Sequence, residues 1–320
     1  MKWAGHDAAW HAWRGAISGE RMHHGWIFAG RKGLGKASFA QAAARELVAE
    51  EGVPQPAGEH PDIITLTNLP ANADEEKKQA DGKPFETKRS ISVAQIRAMQ
   101  QRLTTRPTLG SRRAIIIDPA DDLEKPAANA LLKSLEEPPV GTYFLLVAHR
   151  PGRLLATIRS RCRLLRFPEL SEQELAGILR QQAPDASEAA IAAAIAAGAG
   201  SAGAALDFIE LDLAPLHGLM ARIAQQGDPG FHLRGELAEA MGQRPDRKRQ
   251  LAALELARAV LAERLHHTSG KELPPLIDAH AELVRLSGQA PTYNFDPGLL
   301  VLEIGGLLAS AAMDRERANG

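Results

Sequence analysis

The feature that most constrains the fold of this chain is a glycine-rich turn between a strand-like run and a helix-like run. Residues 30–38 read Gly-Arg-Lys-Gly-Leu-Gly-Lys-Ala-Ser. Residues 26–29 before them have the composition of a short buried strand, and residues 39–50 after them form an alanine-rich amphipathic pattern. Strand, glycine turn and helix in this order are typical of a phosphate-binding loop, whose backbone N–H groups and lysine bind phosphate oxygens. An ordinary glycine turn before a helix is the alternative interpretation.

The candidate phosphate loop lacks one group that ATP hydrolysis requires. In an active loop the lysine is followed directly by Ser or Thr, whose hydroxyl binds Mg²⁺, but Ala37 stands at that position here. Ser38 does not replace it, because one further residue along a helix turns the side chain by about 100°. The candidate nucleotide-binding residues of the loop are Gly30, Gly33, Gly35 and Lys36. They are equally consistent with weak ATP or ADP binding and with a vestigial loop that binds no nucleotide.

Apolar runs that alternate with helical patterns continue to about residue 167. The predicted strands are residues 60–66, 114–118, 143–147 and 164–167, and the predicted helices are residues 92–106 and 126–137. Asp118 ends the second of these strands and is the candidate acid on the metal side of the nucleotide site. Residues 70–89 are polar and charged without periodicity, which predicts a surface loop. The alternation predicts a doubly wound α/β domain with a parallel sheet over residues 1–167.

Strand patterns disappear after Pro168. Residues 171–182, 186–197 and 201–209 have helical patterns and are predicted to form a small helical lid over residues 168–212. Leucines at positions 251, 254, 261 and 265 mark one face of a long helix, and residues 273–286 and 297–312 supply two more. We therefore predict a third, all-helical domain over residues 213–320.

Composition and charge limit the other possibilities. The chain has 320 residues and a formal net charge of -1, so any contact with DNA must come from a local patch or from partners. Its single cysteine, Cys162, excludes an internal disulfide and a cysteine-rich zinc site. His23 and His24 lack a third ligand at metal spacing, and we predict no metal site. No apolar run reaches the roughly 20 residues that span a bilayer, and we expect a cytoplasmic protein without a membrane partner.

Four short motifs carry a family resemblance. They read Met-His-His-Gly-Trp at 22–26, Asp-Pro-Ala-Asp at 118–121, Asn-Ala-Leu-Leu-Lys-Ser-Leu-Glu-Glu-Pro-Pro at 129–139 and Ser-Arg-Cys at 160–162. Together they resemble the bacterial clamp-loader branch of the AAA+ proteins, and within it the delta-prime family. Beyond residue 167 the resemblance rests on length, the order of helices and Tyr-Asn-Phe-Asp at 293–296. It implies an AAA+ phosphate-loop domain, a small helical lid and an all-helical collar domain.

The resemblance also implies that the chain itself hydrolyses little or no ATP. Active AAA+ proteins usually carry a glutamate after the strand-end acid, a polar residue at the end of the next strand and an arginine in the lid. The corresponding residues here are Pro119, Ala148 and Ala204. Loss of a general base alone typically costs about 10²–10⁴ in rate. A gamma/tau-like active AAA+ motor, the main alternative, would have to work without these groups.

The resemblance implies that Arg161, unlike the residues of the phosphate loop, keeps a role in ATP hydrolysis. In this family the arginine of Ser-Arg-Cys reaches the ATP bound by a neighbouring subunit, where such a finger is worth about 10³–10⁵ in rate. The implied role is a stator subunit that assists loading of the sliding clamp in DNA replication. The implied partners are gamma/tau ATPase subunits, the delta subunit, and the clamp and primer-template DNA through the complex. Two alternatives remain: Arg161 only pairs with a carboxylate, or the chain is a small-molecule kinase or nucleotide-binding regulator.

Overall fold

The chain folds as two compact units. The computed structural model describes residues 5–19, 22–270, 273–290 and 295–312. The units are Met1–Glu169 and Leu170–Gly320. The finer division of the chain at residues 167 and 212 stays a prediction, and Tyr293 and Asn294 of the Tyr-Asn-Phe-Asp segment lie outside the described residues.

The first unit is built on a parallel sheet. Its strands are β1 (Gly25–Ala29), β2 (Ile63–Leu66), β3 (Arg113–Ile117), β4 (Thr142–Ala148) and β5 (Arg163–Arg166). All neighbours pair in parallel, in the order β2-β3-β4-β1-β5. The predicted parallel sheet is therefore confirmed. Because all strands run parallel, the loop that follows β1 lies at the carboxyl edge of the sheet, where open α/β sheets bind ligands.

Helices cover both faces of this sheet. They are α1 (Asp7–Ile17), α2 (Lys36–Val48), α3 (Ala73–Ala80), α4 (Val93–Arg102), α5 (Lys125–Glu136) and α6 (Ala156–Arg159). Side chains of β1 alternate between two apolar cores. Trp26 and Phe28 belong to the core that includes residues of α1 and α2, whereas Ile27 and Ala29 belong to the core that includes residues of α4 and α5. The result is a three-layer α/β/α arrangement.

The segment 70–89 differs from its prediction, because residues 73–80 form helix α3 rather than an irregular loop. The Asn72 side chain begins the helix by accepting hydrogen bonds from the backbone N–H groups of Asp74 and Glu75, both at 3.0 Å. The Glu75 carboxylate then accepts hydrogen bonds from Lys78 Nζ and from the backbone N–H of Glu86, both at 2.7 Å. A capped polar helix and one carboxylate thus close this segment. That it binds no zinc stays a prediction.

The second unit is helical, as predicted. Its helices are α7 (Glu172–Gln182), α8 (Glu188–Gly198), α9 (Ala202–Glu210), α10 (Ala214–Gln226), α11 (His232–Met241), α12 (Arg247–His267), α13 (Leu273–Gln289) and α14 (Pro297–Ser310). One apolar core runs from Leu179 in α7 to Ala311 after α14. Among the described residues, no helix combines the length and the apolar character that crossing a bilayer demands.

Candidate functional site: a closed phosphate loop and an exposed arginine

The candidate phosphate loop follows β1 and leads directly into α2. Gly33 and Gly35 have φ values of 82° and 77°, a left-handed conformation that L side chains rarely adopt. Gly30 is required for another reason: a Cβ there would lie 2.4 Å from the backbone oxygen of Phe167. The glycines of the motif therefore meet steric demands of this turn, which joins the sheet to the helix.

Lys36 begins α2 and is almost entirely buried, with 2% of its surface exposed. Its Nζ donates a hydrogen bond to the backbone oxygen of Arg31, 2.5 Å away in the same loop. Burial lowers the pKa of Lys36 to about 8, although the carboxylates of Asp118 and Asp121 act in the opposite direction. The lysine of the motif is thus bonded within its own loop.

Two further contacts tie the loop to neighbouring parts of the first unit. Arg31 forms an ion pair with Glu169, with 2.5 Å between its NH1 atom and Oε1. The His6 Nε2 atom lies 2.8 Å from the backbone oxygen of Leu34, in hydrogen-bonding contact. Segments from both ends of the unit therefore hold the loop in its observed conformation.

The acidic residues near β3 have different roles. Asp118 follows the last residue of β3, and its backbone N–H donates to the Leu66 oxygen at 2.9 Å. Burial raises the pKa of Asp118, while the Lys36 charge opposes this shift. The Asp121 carboxylate accepts hydrogen bonds from the backbone N–H groups of His149 and Arg150. Asp121 therefore fixes the end of β4, and the first carboxylate after Pro119 is engaged in structure.

His149 lies near the loop but was not among the predicted site residues. Ala148 is the last residue of β4, and His149 follows it with its Nδ1 atom buried and, among the described residues, without a hydrogen-bond partner. Burial lowers its pKa to about 4, and the positive charges of Lys36 and Lys32 act in the same direction. The imidazole is therefore neutral at pH 7. The available signal in the sequence was a polar residue, His149, one position after Ala148, where the polar residue was expected.

Arg161 lies in the short segment between α6 and β5. Its NH2 atom is 2.7 Å from Glu136 Oε1, and its NH1 atom donates to the Thr157 oxygen at 2.9 Å. A longer contact of 3.4 Å joins NH1 to the Ser160 hydroxyl. The carboxylate pairing that the sequence left open is therefore present. The Arg161 side chain nevertheless remains 35% exposed in this ion pair.

Three of the sequence motifs meet around Arg161. His24 Nε2 lies 2.8 Å from the backbone oxygen of Leu135, which joins the start of β1 to the end of α5. A Cβ at Gly25 would lie 3.0 Å from the Arg161 oxygen and 2.9 Å from Cys162 Sγ. Burial raises the pKa of Cys162 to about 12, so its thiol is unreactive at pH 7. The sequence alone did not indicate that these motifs share one location.

The predicted site residues thus separate into two groups at opposite ends of β1. Gly30, which follows β1, belongs to the loop that also carries Gly33, Gly35 and Lys36, and Asp118 lies near enough to influence the Lys36 charge. Arg161 is seated against Gly25, the first residue of β1. Gly25 and Gly30 are five positions apart along extended chain, about 16 Å at 3.3 Å per residue.

The sequence of the first unit matches a known protein family. The family described as DNA polymerase III, delta subunit, matches residues 5–171, which is just over half of the chain. The chain belongs to the DNA polymerase III delta-subunit family. The resemblance inferred from the motifs is thereby confirmed.

Individual members of the DNA polymerase III delta-subunit family show the same relationship. The DNA polymerase III subunit delta' of Pseudomonas aeruginosa is 33% identical over 159 residues, covering 46% of this chain and 44% of that protein. The corresponding protein of Escherichia coli K12 is 32% identical over 186 residues, covering 54% and 50%. This chain therefore spans about half the length of the curated relatives it matches.

Solved structures support the fold of this family member. The RuvB Holliday junction branch migration motor of Thermotoga maritima aligns with a TM-score of 0.50 at 18% identity, covering 93% of this chain and 87% of that one. At this identity the likeness concerns the fold alone. It agrees with the predicted AAA+ type of architecture.

Proposed function

We propose that this chain is a delta-prime-type stator subunit of a DNA polymerase III clamp loader. In this role it contributes little or no ATP hydrolysis of its own and supplies Arg161 to ATP bound by a neighbouring ATPase subunit. Family membership and the names of the relatives support the general assignment. The location of Arg161, at the far end of β1 from this chain's own phosphate loop, is the observation that carries the finer one.

The residues around the loop do not fit MgATP hydrolysis. Ala37 offers no hydroxyl for Mg²⁺, and Pro119 offers no base. Asp121, the next acidic residue of this segment, is bonded to two backbone N–H groups. The Lys36 amine is bonded within the loop. No cofactor is required for the proposed role, and weak ATP or ADP binding at Gly30, Gly33, Gly35, Lys36 and Asp118 remains part of the proposal.

The separation along β1 supports action in trans. The backbone of Arg161 lies beside Gly25 at the amino end of β1, whereas the phosphate loop follows the carboxyl end of the strand. The strand between these points is roughly 16 Å long, which is longer than an arginine side chain. A phosphate bound at this chain's own loop is therefore out of reach of Arg161, and its planar, forked N–H donors suit contact with a phosphate of another chain.

The proposed partners are gamma/tau-type ATPase subunits and a delta subunit, with the sliding clamp and primer-template DNA engaged through the complex. The second unit supplies a surface for assembly. Large apolar side chains are exposed on its last two helices: Ile277 and Val284 on α13, and Leu299 and Leu302 on α14. Apolar side chains that form one contiguous exposed patch mark association surfaces, and these four are the candidates for such a patch. We therefore propose that the helical unit joins the collar of the complex.

The test is reconstitution of the loader with wild-type partner subunits and Arg161→Ala, at confirmed stoichiometry. The ATPase activity of the complex should fall only in part, because other subunits keep their own sites. Clamp loading should fall by at least about tenfold, because a finger contributes a factor of about 10³–10⁵ in rate at its site. Arg161→Lys should restore little, because an ammonium lacks the forked donors. Arg159→Ala, two residues away and also exposed, is the matched control. Unchanged loading by an intact Arg161→Ala complex would refute the proposal.

A further inference from the structure

We infer that Glu136 is the resting partner of Arg161 and competes with the phosphate of the neighbouring subunit's nucleotide for the same guanidinium. The inference rests on the proposed function, because it assigns a regulatory neighbour to the proposed finger. Glu136 is a positioning residue in this scheme: it acts on the nucleotide only through Arg161.

The contact geometry defines the competition. Glu136 is the last residue of α5, and its Oε1 atom lies 2.7 Å from Arg161 NH2. The other terminal nitrogen, NH1, donates to the backbone oxygen of Thr157 at 2.9 Å. Both terminal nitrogens of the guanidinium are therefore engaged within this chain. To form a forked contact with phosphate oxygens, Arg161 must exchange the Glu136 carboxylate for the phosphate.

Two electrostatic effects predict how removal of the Glu136 charge changes this exchange. The carboxylate stabilises the resting position of the guanidinium, and its negative charge repels an incoming phosphate. Removing the charge while keeping the shape therefore favours engagement through both effects. The pair is partly exposed, at 35% for Arg161 and 49% for Glu136, so solvent limits its strength. Pairs of this kind correspond to at most about a fivefold change in an equilibrium constant.

The next residue provides a matched control. Glu137 is also exposed and belongs to the same Glu-Glu-Pro-Pro run. Its backbone N–H donates to the Lys133 oxygen at 3.1 Å. Within the described part of the chain, its side chain forms no ion pair or hydrogen bond. Glu137→Gln therefore removes the same charge from the same helix end and leaves Arg161 with its partner.

The experiment measures ATP turnover by the reconstituted complex as a function of ATP concentration. Four forms of this chain are compared with the wild type: Glu136→Gln, Glu137→Gln, Arg161→Ala and the double variant Glu136→Gln with Arg161→Ala. Subtracting the Arg161→Ala rate isolates the component that depends on Arg161. We expect Glu136→Gln to raise kcat/KM of this component about two- to fivefold. The increase should shrink at high salt, which screens the wild-type pair.

The control variants separate this inference from the proposed function. Glu137→Gln should match the wild type, and the double variant should match Arg161→Ala. A decrease or no change with Glu136→Gln, or an increase that persists without Arg161, would overturn the inference while leaving the finger in place. If Arg161→Ala itself changes neither turnover nor loading, the proposed function fails instead.

Discussion

The two ends of β1 differ in what they offer to a phosphate. At the carboxyl end, Lys36 is 2% exposed and bonded to its own loop. At the amino end, Arg161 keeps 35% of its side chain exposed and is held by contacts at the rim of the fold. Lys36 and Arg161 both belong to sequence motifs that are typical of the same family. The difference is one of accessibility: Lys36 is enclosed by its own loop, whereas about a third of the Arg161 side chain is open to solvent.

The largest expected effect concerns ATP turnover at the loop. The isolated chain should release phosphate no faster than its Lys36→Ala variant, because the loop lacks the Mg²⁺ hydroxyl and Pro119 stands where an active AAA+ protein carries its glutamate. Relative to a typical enzyme turnover of about 1 s⁻¹, the deficit should exceed about 10³-fold. Ala37→Ser alone should not restore activity, since Pro119 remains. Steady-state phosphate release measures this. Lysine-dependent turnover near 1 s⁻¹ would break the comparison.

Gly30→Ala should give the largest change in stability. The new Cβ would lie 2.4 Å from the Phe167 backbone oxygen, and such overpacking should lower the free energy of unfolding by about 3 kcal/mol. Gly35→Ala is the control, because its Cβ meets nothing within 4 Å and only the φ of 77° opposes it. That variant should lose about 1 kcal/mol.

Denaturant unfolding followed by tryptophan fluorescence suits this measurement. All four tryptophans occur within the first 26 residues, so the signal reports on the first unit. Equal losses for Gly30→Ala and Gly35→Ala would show that the approach of Phe167 does not constrain the loop.

Lys36→Met should stabilise the first unit by about 1 to 2 kcal/mol at pH 7, because burial disfavours the charged amine despite the nearby carboxylates. The pKa of Lys36 falls from 10.5 to about 8 on folding. Between these values the unfolded wild-type chain binds more protons than the folded one, so wild-type stability rises with pH. The advantage of the variant should therefore shrink from pH 8 to pH 10.5. The same fluorescence titration at several pH values tests this, and an advantage that grows with pH would contradict the pKa shift.

The smallest expected effect lies at the amino end of β1. Arg161→Ala and Glu136→Gln should each change the free energy of unfolding by less than about 0.5 kcal/mol, because a solvent-exposed ion pair contributes little. Thermal unfolding of each variant beside the wild type provides the measurement. A loss of several kcal/mol would mean that Arg161 is needed for the fold itself rather than kept accessible for an outside ligand.

Much of the first unit could be predicted from residue pattern. The apolar runs at β1, β3 and β4 are buried along almost their whole length, which is why a parallel sheet was recognisable. The helix predicted from residue 92 begins there as α4, where the side chains of Ser92 and Gln95 bond to each other's backbone N–H groups in a capping box. These features depend on residues that are close together in the sequence, so local sequence patterns predict them.

Other features could not be predicted because they depend on distant contacts or on weak patterns. Helix α3 has no apolar stripe; it rests on the Asn72 cap and on the Glu75 carboxylate, which contacts Glu86 across a turn. The packing of the Arg161 backbone against Gly25 joins residues more than 130 positions apart in the sequence. The engagement of Lys36 by the Arg31 oxygen depends on loop conformation. Sequence motifs identified which groups were missing from the site, whereas only coordinates showed what the remaining groups contact.

β5, one of the two edge strands of the sheet, has a consequence for how the first unit can meet another protein. Among the described residues, β5 pairs as a strand with β1 alone, so its other side is a sheet edge. It is four residues long and begins and ends with the exposed arginines Arg163 and Arg166. Short, charged edge strands resist the addition of a foreign strand. A neighbouring chain at this edge should therefore be recognised through side chains, and this edge should resist aggregation by lateral growth of the sheet.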